Sequence, residues 1–271
     1  MLDDPTLALE ARALQGARIA RRVGRAAAAF RATGAAGLGI DSKGLQDFVT
    51  LADRRAEQSI RKALARHFPT DGFLGEESGG EAREQLWVVD PIDGTTNFIR
   101  GFRHWGVSMA FVAGGRVQVG IVYDATLDQV YWAIRGGGAF KDRAPIRASA
   151  VADPARAIAI LGHSRRTSFD EYLAVARILY ERGIDYRRMG AAAIGLCRVA
   201  DGIADLYYER HLNSWDMLAG ALIAREAGVR VLMPPIDVVL REGGPVMAGT
   251  PGLLGEFAFL KEIVGPGCVP L

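Results

Sequence analysis

The apolar positions along the chain change their period several times, and each change predicts a new element. Between residues 6 and 32, Leu7, Leu14, Ala17, Val23, Ala27 and Phe30 recur at roughly helical spacing among alanines and arginines, which predicts an amphipathic helix. A second helix is expected where Ala56, Ile60, Leu64 and Phe68 follow Thr50 and Asp53, because Thr-x-x-Asp before such a stripe is a capping box. The continuous apolar run at residues 86–89 reads as a short buried strand, and Pro91 withholds a backbone donor, so the ladder is expected to stop there. Residues 106–113, 116–123 and 130–134 are rich in β-formers and separated by turn residues, the pattern of an antiparallel meander. Gly136-Gly137-Gly138 fits neither a P-loop nor G-x-G-x-x-G and reads as a turn.

Beyond a Pro- and Ser-marked stretch at 141–154, strands are expected at 158–161, 206–208, 229–232 and 246–248. They alternate with helices at 169–182, 190–199, 215–226 and 253–264. This mixture predicts an α/β or α+β sandwich of layers. The expected division is an N-terminal α+β half over residues 1–145 and a C-terminal α/β half over residues 146–271.

Composition changes this reading little. A chain of 271 residues with 49% hydrophobic and 24% charged positions can bury a sizeable core and is ordinary for a globular protein. The formal charge of +2, with basic residues spread along the chain, gives no reason to expect nucleic acid or a membrane as partner. Cys197 and Cys268 make neither a metal pair nor a disulfide framework, and Cys197 is expected in the core. The acidic start, Met1-Leu2-Asp3-Asp4-Pro5, is followed by no apolar h-region, so a cytoplasmic protein is expected.

The chemistry concentrates in residues 87–98, where Asp90, Asp93, Gly94, Thr95 and Thr96 follow the apolar strand. Alone, Asp-x-x-Asp-Gly is also what an Asx turn looks like. Two residues separate Asp90 from Asp93, which excludes the Asp-x-Asp-x-Thr pattern of another phosphatase class. Upstream stand Gly75-Glu76-Glu77-Ser78, and downstream Tyr207-Tyr208-Glu209 and Trp215-Asp216. Each has a purely structural alternative. Glu76 and Glu77 suit a solvated loop, Glu209 a strand end, and Asp216 the first turn of a helix that Ser214 caps. Hard oxygen donors of this kind suit Mg²⁺, whereas His67, His104, His163 and His211 show no H-x-x-x-H zinc spacing.

Taken together, these segments resemble the signatures of the inositol monophosphatase family, magnesium-dependent and lithium-sensitive phosphatases, in register over roughly residues 43 to 228. Residues 87–98 match the first signature, and Trp215-Asp216 through Glu226-Ala227-Gly228 match the second. Lys43 and Val49-Thr50-Leu51-Ala52-Asp53 are similar to the lysine loop and the V-T-x-x-D segment. The resemblance implies an αβαβα five-layered sandwich, a site in the cleft between its halves, and a homodimer. It also implies two or three Mg²⁺ ions: Glu76, Asp90 and the Ile92 carbonyl hold the first, and Asp90, Asp93 and Asp216 the second. By the same resemblance a Thr95–Asp53 pair takes the proton of the attacking water, and the amides of Gly94 and Thr95 hold the phosphate. Ala192 and Glu209 meet the leaving alcohol, and Lys43 and Glu77 support the metal cluster.

The implied substrate is a small phosphate monoester, with myo-inositol 1-phosphate the first choice. Histidinol phosphate, fructose 1,6-bisphosphate and 3′-phosphoadenosine 5′-phosphate are the alternatives. Arg165, Arg166, Arg187 and Arg188 fit either a second phosphate or a solvated face. A reading from a different class is a metal-binding protein that acts by contacting a macromolecular partner.

Overall fold

The computed structural model describes residues 5–34, 39–44, 47–80, 83–253 and 267–271, with the backbone alone at 5, 42–44 and 47–49. The chain opens with α1 (Pro5–Ala32), the hairpin β1 (Asp41–Gly44) and β2 (Asp47–Val49), and α2 (Leu51–His67). There follow β3 (Gly72–Gly75), β4 (Gly79–Gly80), β5 (Gln85–Asp93) and the short α3 (Thr95–Arg100). The meander is β6 (Gly106–Ala113), β7 (Arg116–Asp124), β8 (Gln129–Ile134), β9 (Ala139–Lys141) and β10 (Ala144–Pro145). These strands form an eight-stranded sheet in the order β10-β9-β8-β7-β6-β5-β3-β4, antiparallel except for β3 beside β5.

The rest of the chain builds a second, six-stranded sheet. It contains β11 (Ile158–Leu161), α4 (Phe169–Glu181), β12 (Asp185–Arg187), α5 (Ala192–Ala200) and β13 (Leu206–Leu212). Then come α6 (Ser214–Glu226), β14 (Arg230–Met233), α7 (Ile236–Glu242), β15 (Gly244–Gly249) and β16 (Val269–Pro270). The sheet order is β12-β11-β13-β15-β14-β16, with β11 parallel to both β12 and β13.

Side-chain alternation explains how the layers stack. On β5, Trp87 and Val89 face α1 and α2, while Leu86 and Val88 face α5 and α6. Both faces of this strand are therefore buried, which is why its sequence reads as an uninterrupted apolar run. On β11 and β13, Ile160 and Tyr207 turn inward to α5 and α6, while Ala159, Leu161 and Tyr208 turn outward to Val175 and Leu179 of α4. The result is the αβαβα order of five layers: α1/α2, first sheet, α5/α6, second sheet, α4. Small residues bring the middle layer close. Gly120 on β7 has no Cβ to meet the Ala219 carbonyl, and Gly220 none to meet Leu196. Among the described residues no helix is long and apolar enough to cross a membrane.

Several sequence expectations need correction. The buried stripe of α1 is Ala13, Ile19, Ala20, Val23 and Ala27, whereas Leu7 and Leu14 are exposed at 54% and 53%. Gly16 and Gly24 allow that stripe to lie against Ile121 and Tyr123, so small residues rather than leucines mark the buried face. Pro91 does not end β5; a register shift between Asp90 and Asp93 absorbs it, and pairing resumes at Asp93 with Gly106. Helix α5 starts at Ala192 rather than 190, since Gly190 has a φ of 78° and Ala191 is its extended N-cap. Asn213, not Ser214, is the N-cap of α6. The short elements β3, α3, β12 and α7 carry too few residues for a periodic signal. Cys197 is buried as expected. The helix expected at 253–264 falls almost wholly on residues outside the described ones.

Candidate active site

The site grows from the end of β5. Asp90 and Asp93 are only 2% and 3% exposed there, and the register shift between them lets both leave the ladder on the same strand. The Asp90 Oδ1 accepts the Ile92 amide at 2.9 Å, which tightens this turn. Gly94 then adopts the left-handed region, with φ 86° and ψ 43°, and the chain enters α3 at Thr95.

Helix α2 delivers Asp53 to the same place. Thr50 caps the helix, and Asp53 Oδ2 accepts the Thr50 amide at 2.8 Å and the Thr50 hydroxyl at 2.5 Å. The other oxygen, Oδ1, lies 3.2 Å from the Thr95 hydroxyl, which also lies 3.1 Å from the Ile92 carbonyl. Burial raises the Asp53 carboxyl above its usual range, opposed by the hydrogen bonds from Thr50 and Thr95.

Glu76 and Glu77 follow β3. The Glu76 amide donates to the Val89 carbonyl at 3.1 Å, placing this residue beside β5. Glu57, one turn beyond Asp53 on α2 and 3% exposed, accepts the Glu77 amide at 2.8 Å and the Ser78 amide at 3.0 Å. It also accepts the Ser78 hydroxyl. The sequence reading missed Glu57, although a glutamate on the apolar stripe of Ala56 and Ile60 was the available signal. The side chain of Lys43 lies outside the described ones.

The second sheet and the middle helices supply the opposite wall. Asp93 Oδ1 accepts the Ala192 amide at 2.9 Å and Oδ2 accepts the Ile194 amide at 3.2 Å, so the first turn of α5 ends on this carboxylate. Asp216, in the first turn of α6, accepts the Asn213 amide at 2.8 Å. Glu209 on β13 accepts the Tyr207 hydroxyl at 2.7 Å and lies directly over Gly162, where any Cβ would collide with it. Tyr207 is thus a second residue that the sequence did not single out.

These carboxylates feel one another. Burial holds Asp90 well above the usual carboxylate range, and the charges of Glu76, Asp93 and Asp216 push it further. Asp216 is raised by burial and by Asp93, and Asp93 by burial and Glu76 against the pull of the α5 amides. Glu209 is pushed up to about 7, by burial first.

Among the described residues, no three His, Cys, Asp or Glu side chains already converge as a set of metal ligands, and Asp90, Asp93 and Asp216 each accept at least one backbone amide. The donor chemistry nevertheless fits a hard divalent cation. Four mutually repelling, largely enclosed carboxylates are stabilised by taking up either protons or a cation.

The profile of the inositol monophosphatase family matches residues 11–258. A Rhizobium meliloti (strain 1021) protein named inositol-1-monophosphatase is 40% identical over 198 residues, covering 70% of this chain and 74% of that protein. A Vibrio cholerae protein named Nus factor SuhB is 35% identical over 226 residues, covering 82% of this chain and 84% of its own. The crystal structure of the extragenic suppressor protein suhB from Bartonella henselae superposes with a TM-score of 0.83 at 32% identity, covering 93% of this chain and 98% of that one.

Proposed function

Because the chain belongs to the inositol monophosphatase family, we propose that it hydrolyses a small phosphate monoester with magnesium held at the acid cluster, myo-inositol 1-phosphate being the first candidate. The observation that carries this reading is the gathering of Glu76, Asp90, Asp93 and Asp216 from three separate points of the chain, the turn after β3, the end of β5 and the first turn of α6, so that their charges act on Asp90 together. Glu76, Asp90 and the Ile92 carbonyl would hold one ion, and Asp90, Asp93 and Asp216 another. When bound, magnesium neutralises phosphoryl charge and acidifies the attacking water.

The chain's own residues do the rest. The Thr95 hydroxyl, within reach of Asp53 Oδ1, passes a proton from the water to that carboxylate. Burial makes Asp53 a better acceptor than a surface aspartate. The amides of Gly94 and Thr95 face the phosphate, supported by the left-handed turn at Gly94. Glu209 accepts hydroxyl hydrogen bonds from the leaving alcohol. Ala192 borders the alcohol, with its amide already committed to Asp93. Glu77 shapes the loop that presents Glu76, and Lys43 takes a supporting place beside the cluster. On this reading the site lies between an N-terminal half, residues 1–145, and a C-terminal half, residues 146–271. Family membership also supports a homodimer and inhibition by lithium.

The test is phosphate release from myo-inositol 1-phosphate with Mg²⁺ and with excess chelator. Release that requires Mg²⁺ is expected, and full turnover in chelator would overturn the metal-dependent reading. A second reading, action through a macromolecular partner, is favoured by relatives named Nus factor SuhB. It gains if a panel of phosphate monoesters yields no release at all.

A further inference from the structure

Asn97 has no part in the chemistry proposed above, yet its side-chain amide spans the two walls of the site. Nδ2 donates to the His104 carbonyl at 2.7 Å and to the Met189 carbonyl, 92 positions along the chain, at 2.9 Å. Both hydrogens of the amide are therefore used. The segments it joins pack without slack. A Cβ on Gly190 would sit 3.2 Å from Asn97 Nδ2, and a Cβ on Gly94 would sit 3.0 Å from that of Ala191 and 3.1 Å from the His104 carbonyl oxygen. Three residues beyond Met189, α5 begins, and its amides at Ala192 and Ile194 hold the Asp93 carboxylate. The start of α5 is thus tied to residues 93–97 at two places, by Asp93 and by Asn97.

We propose that Asn97 is a positioning residue: by gripping the carbonyls of His104 and Met189 it fixes the first turn of α5 against Asp93 and Thr95. That grip sets the alcohol-binding wall relative to the phosphate-binding wall. The catalytic consequence rests on the phosphatase reading above; the structural consequence does not. An asparagine suits the task because it offers two donors at one nitrogen and carries no charge beside the acid cluster. An aspartate of the same shape offers none, and its oxygens would face two carbonyl oxygens.

The test uses Asn97→Ala and Asn97→Asp, with Leu179→Ala as a control. Leu179 is on the buried face of α4 in the outermost layer, so its truncation destabilises the protein through a different layer from the one Asn97 joins. Hydrogen exchange of the peptide covering residues 188–196 is measured first, with no substrate or metal needed. Both Asn97 variants are expected to exchange about tenfold faster there than the control, the scale of losing two part-buried hydrogen bonds. With myo-inositol 1-phosphate and Mg²⁺, their kcat/KM is expected to fall by about 10- to 100-fold, the scale of a small misplacement, while Leu179→Ala stays within about twofold of wild type. Unchanged exchange at 188–196, or an activity loss no greater than that of the control, overturns the assignment. If the wild type itself releases no phosphate, the phosphatase reading fails, and the exchange result still decides whether Asn97 holds α5. Should Asn97→Ala not fold, Asn97→Asp, which retains the side-chain volume, carries both measurements.

Discussion

Asp53 divides its two oxygens between two tasks: Oδ2 receives the Thr50 amide at 2.8 Å, and Oδ1 faces the Thr95 hydroxyl at 3.2 Å. One carboxylate closes the N-terminus of α2 and also reaches the proposed proton relay. Thr95→Ala is therefore expected to lower kcat by about 10²- to 10⁴-fold, as loss of general base assistance does, and to leave thermal stability nearly unchanged. Asp53→Asn should lose activity to a similar degree and also about 1 kcal/mol of stability through the weakened cap. A Thr95→Ala enzyme with unchanged kcat and a raised Mg²⁺ requirement would show that Thr95 has been given the wrong role.

Asp93→Asn tests the metal cluster. Both Asp93 oxygens accept backbone amides from α5, so the asparagine must turn its NH₂ against one of them at a cost of about 1–3 kcal/mol. Removing the charge relieves repulsion with Glu76, which offsets part of that cost. The clear expected change is in binding: kcat/KM falls by at least about 10- to 100-fold, the loss already caused by residues that only support metal ligands. The thermal stabilisation by Mg²⁺ should shrink with it. A variant that keeps the full Mg²⁺-induced rise in Tm contradicts the placement of Asp93.

Glu57→Ala leaves the amides of Glu77 and Ser78 without their acceptor. Losing the acceptor of two part-buried amides costs about 0.5–1.5 kcal/mol for each bond, and the loop that presents Glu76 loosens as a result. The expected signature is a raised Mg²⁺ concentration for half-maximal activity with kcat largely recovered at saturation. A variant in which kcat alone falls would assign Glu57 a different role.

His104 provides a pH signature that does not come from the acid cluster. Burial first, and then the charge of Arg198, lowers its pKa from 6.5 to about 4, opposed by Asp124. The folded state holds the ring neutral while the unfolded chain binds a proton below 6.5, so the contribution to stability is complete above that pH. It is lost as pH falls through the window from 6.5 to about 4. The loss is at most about 3 kcal/mol. His104→Phe, which cannot charge, should flatten the fall in unfolding free energy over that window relative to wild type. Parallel pH profiles for the two proteins would refute it.

The sequence led to the layered fold and to a set of acidic residues that the structure buries at the end of β5 and around it, and what it left out has a physical reason. Asp90, Asp93 and Asp216 stand out because their chemistry is costly to bury, whereas Glu57 and Tyr207, which hold the Glu77–Ser78 turn and Glu209, act through hydrogen bonds that only tertiary structure creates. Two of the structural alternatives hold as well. Thr50 and Asp53 do form a capping box, and Asp216 does bond the first turn of α6. The two demands coincide on one residue. Periodicity found the long elements and placed Val23 and Ala27 correctly on the buried face of α1, but assigned Leu7 and Leu14 to it where small residues fit closely against Ile121 and Tyr123 instead. Short elements such as β12, which aligns Arg187 with Ile160 on β11, are shaped by their neighbours and leave no local pattern.

The choice of substrate turns on Glu209. This carboxylate accepts the Tyr207 hydroxyl at 2.7 Å, and its pKa is pushed up to about 7 by burial, while the charges of Arg188 and Arg166 act to lower it. Those arginines also disfavour a cationic leaving group at the same wall. A neutral polyol, by contrast, needs only an acceptor. Glu209→Gln retains a hydrogen-bonding oxygen and removes the charge, so with myo-inositol 1-phosphate it is expected to lose under about 2 kcal/mol in kcat/KM. A cationic substrate such as histidinol phosphate should lose more, because charge-assisted bonds are roughly twice as strong. The wild type is expected to prefer myo-inositol 1-phosphate. A wild-type kcat/KM tenfold higher for histidinol phosphate, with the steeper loss in the glutamine variant, would reverse the choice of substrate and leave the proposed hydrolytic site in place.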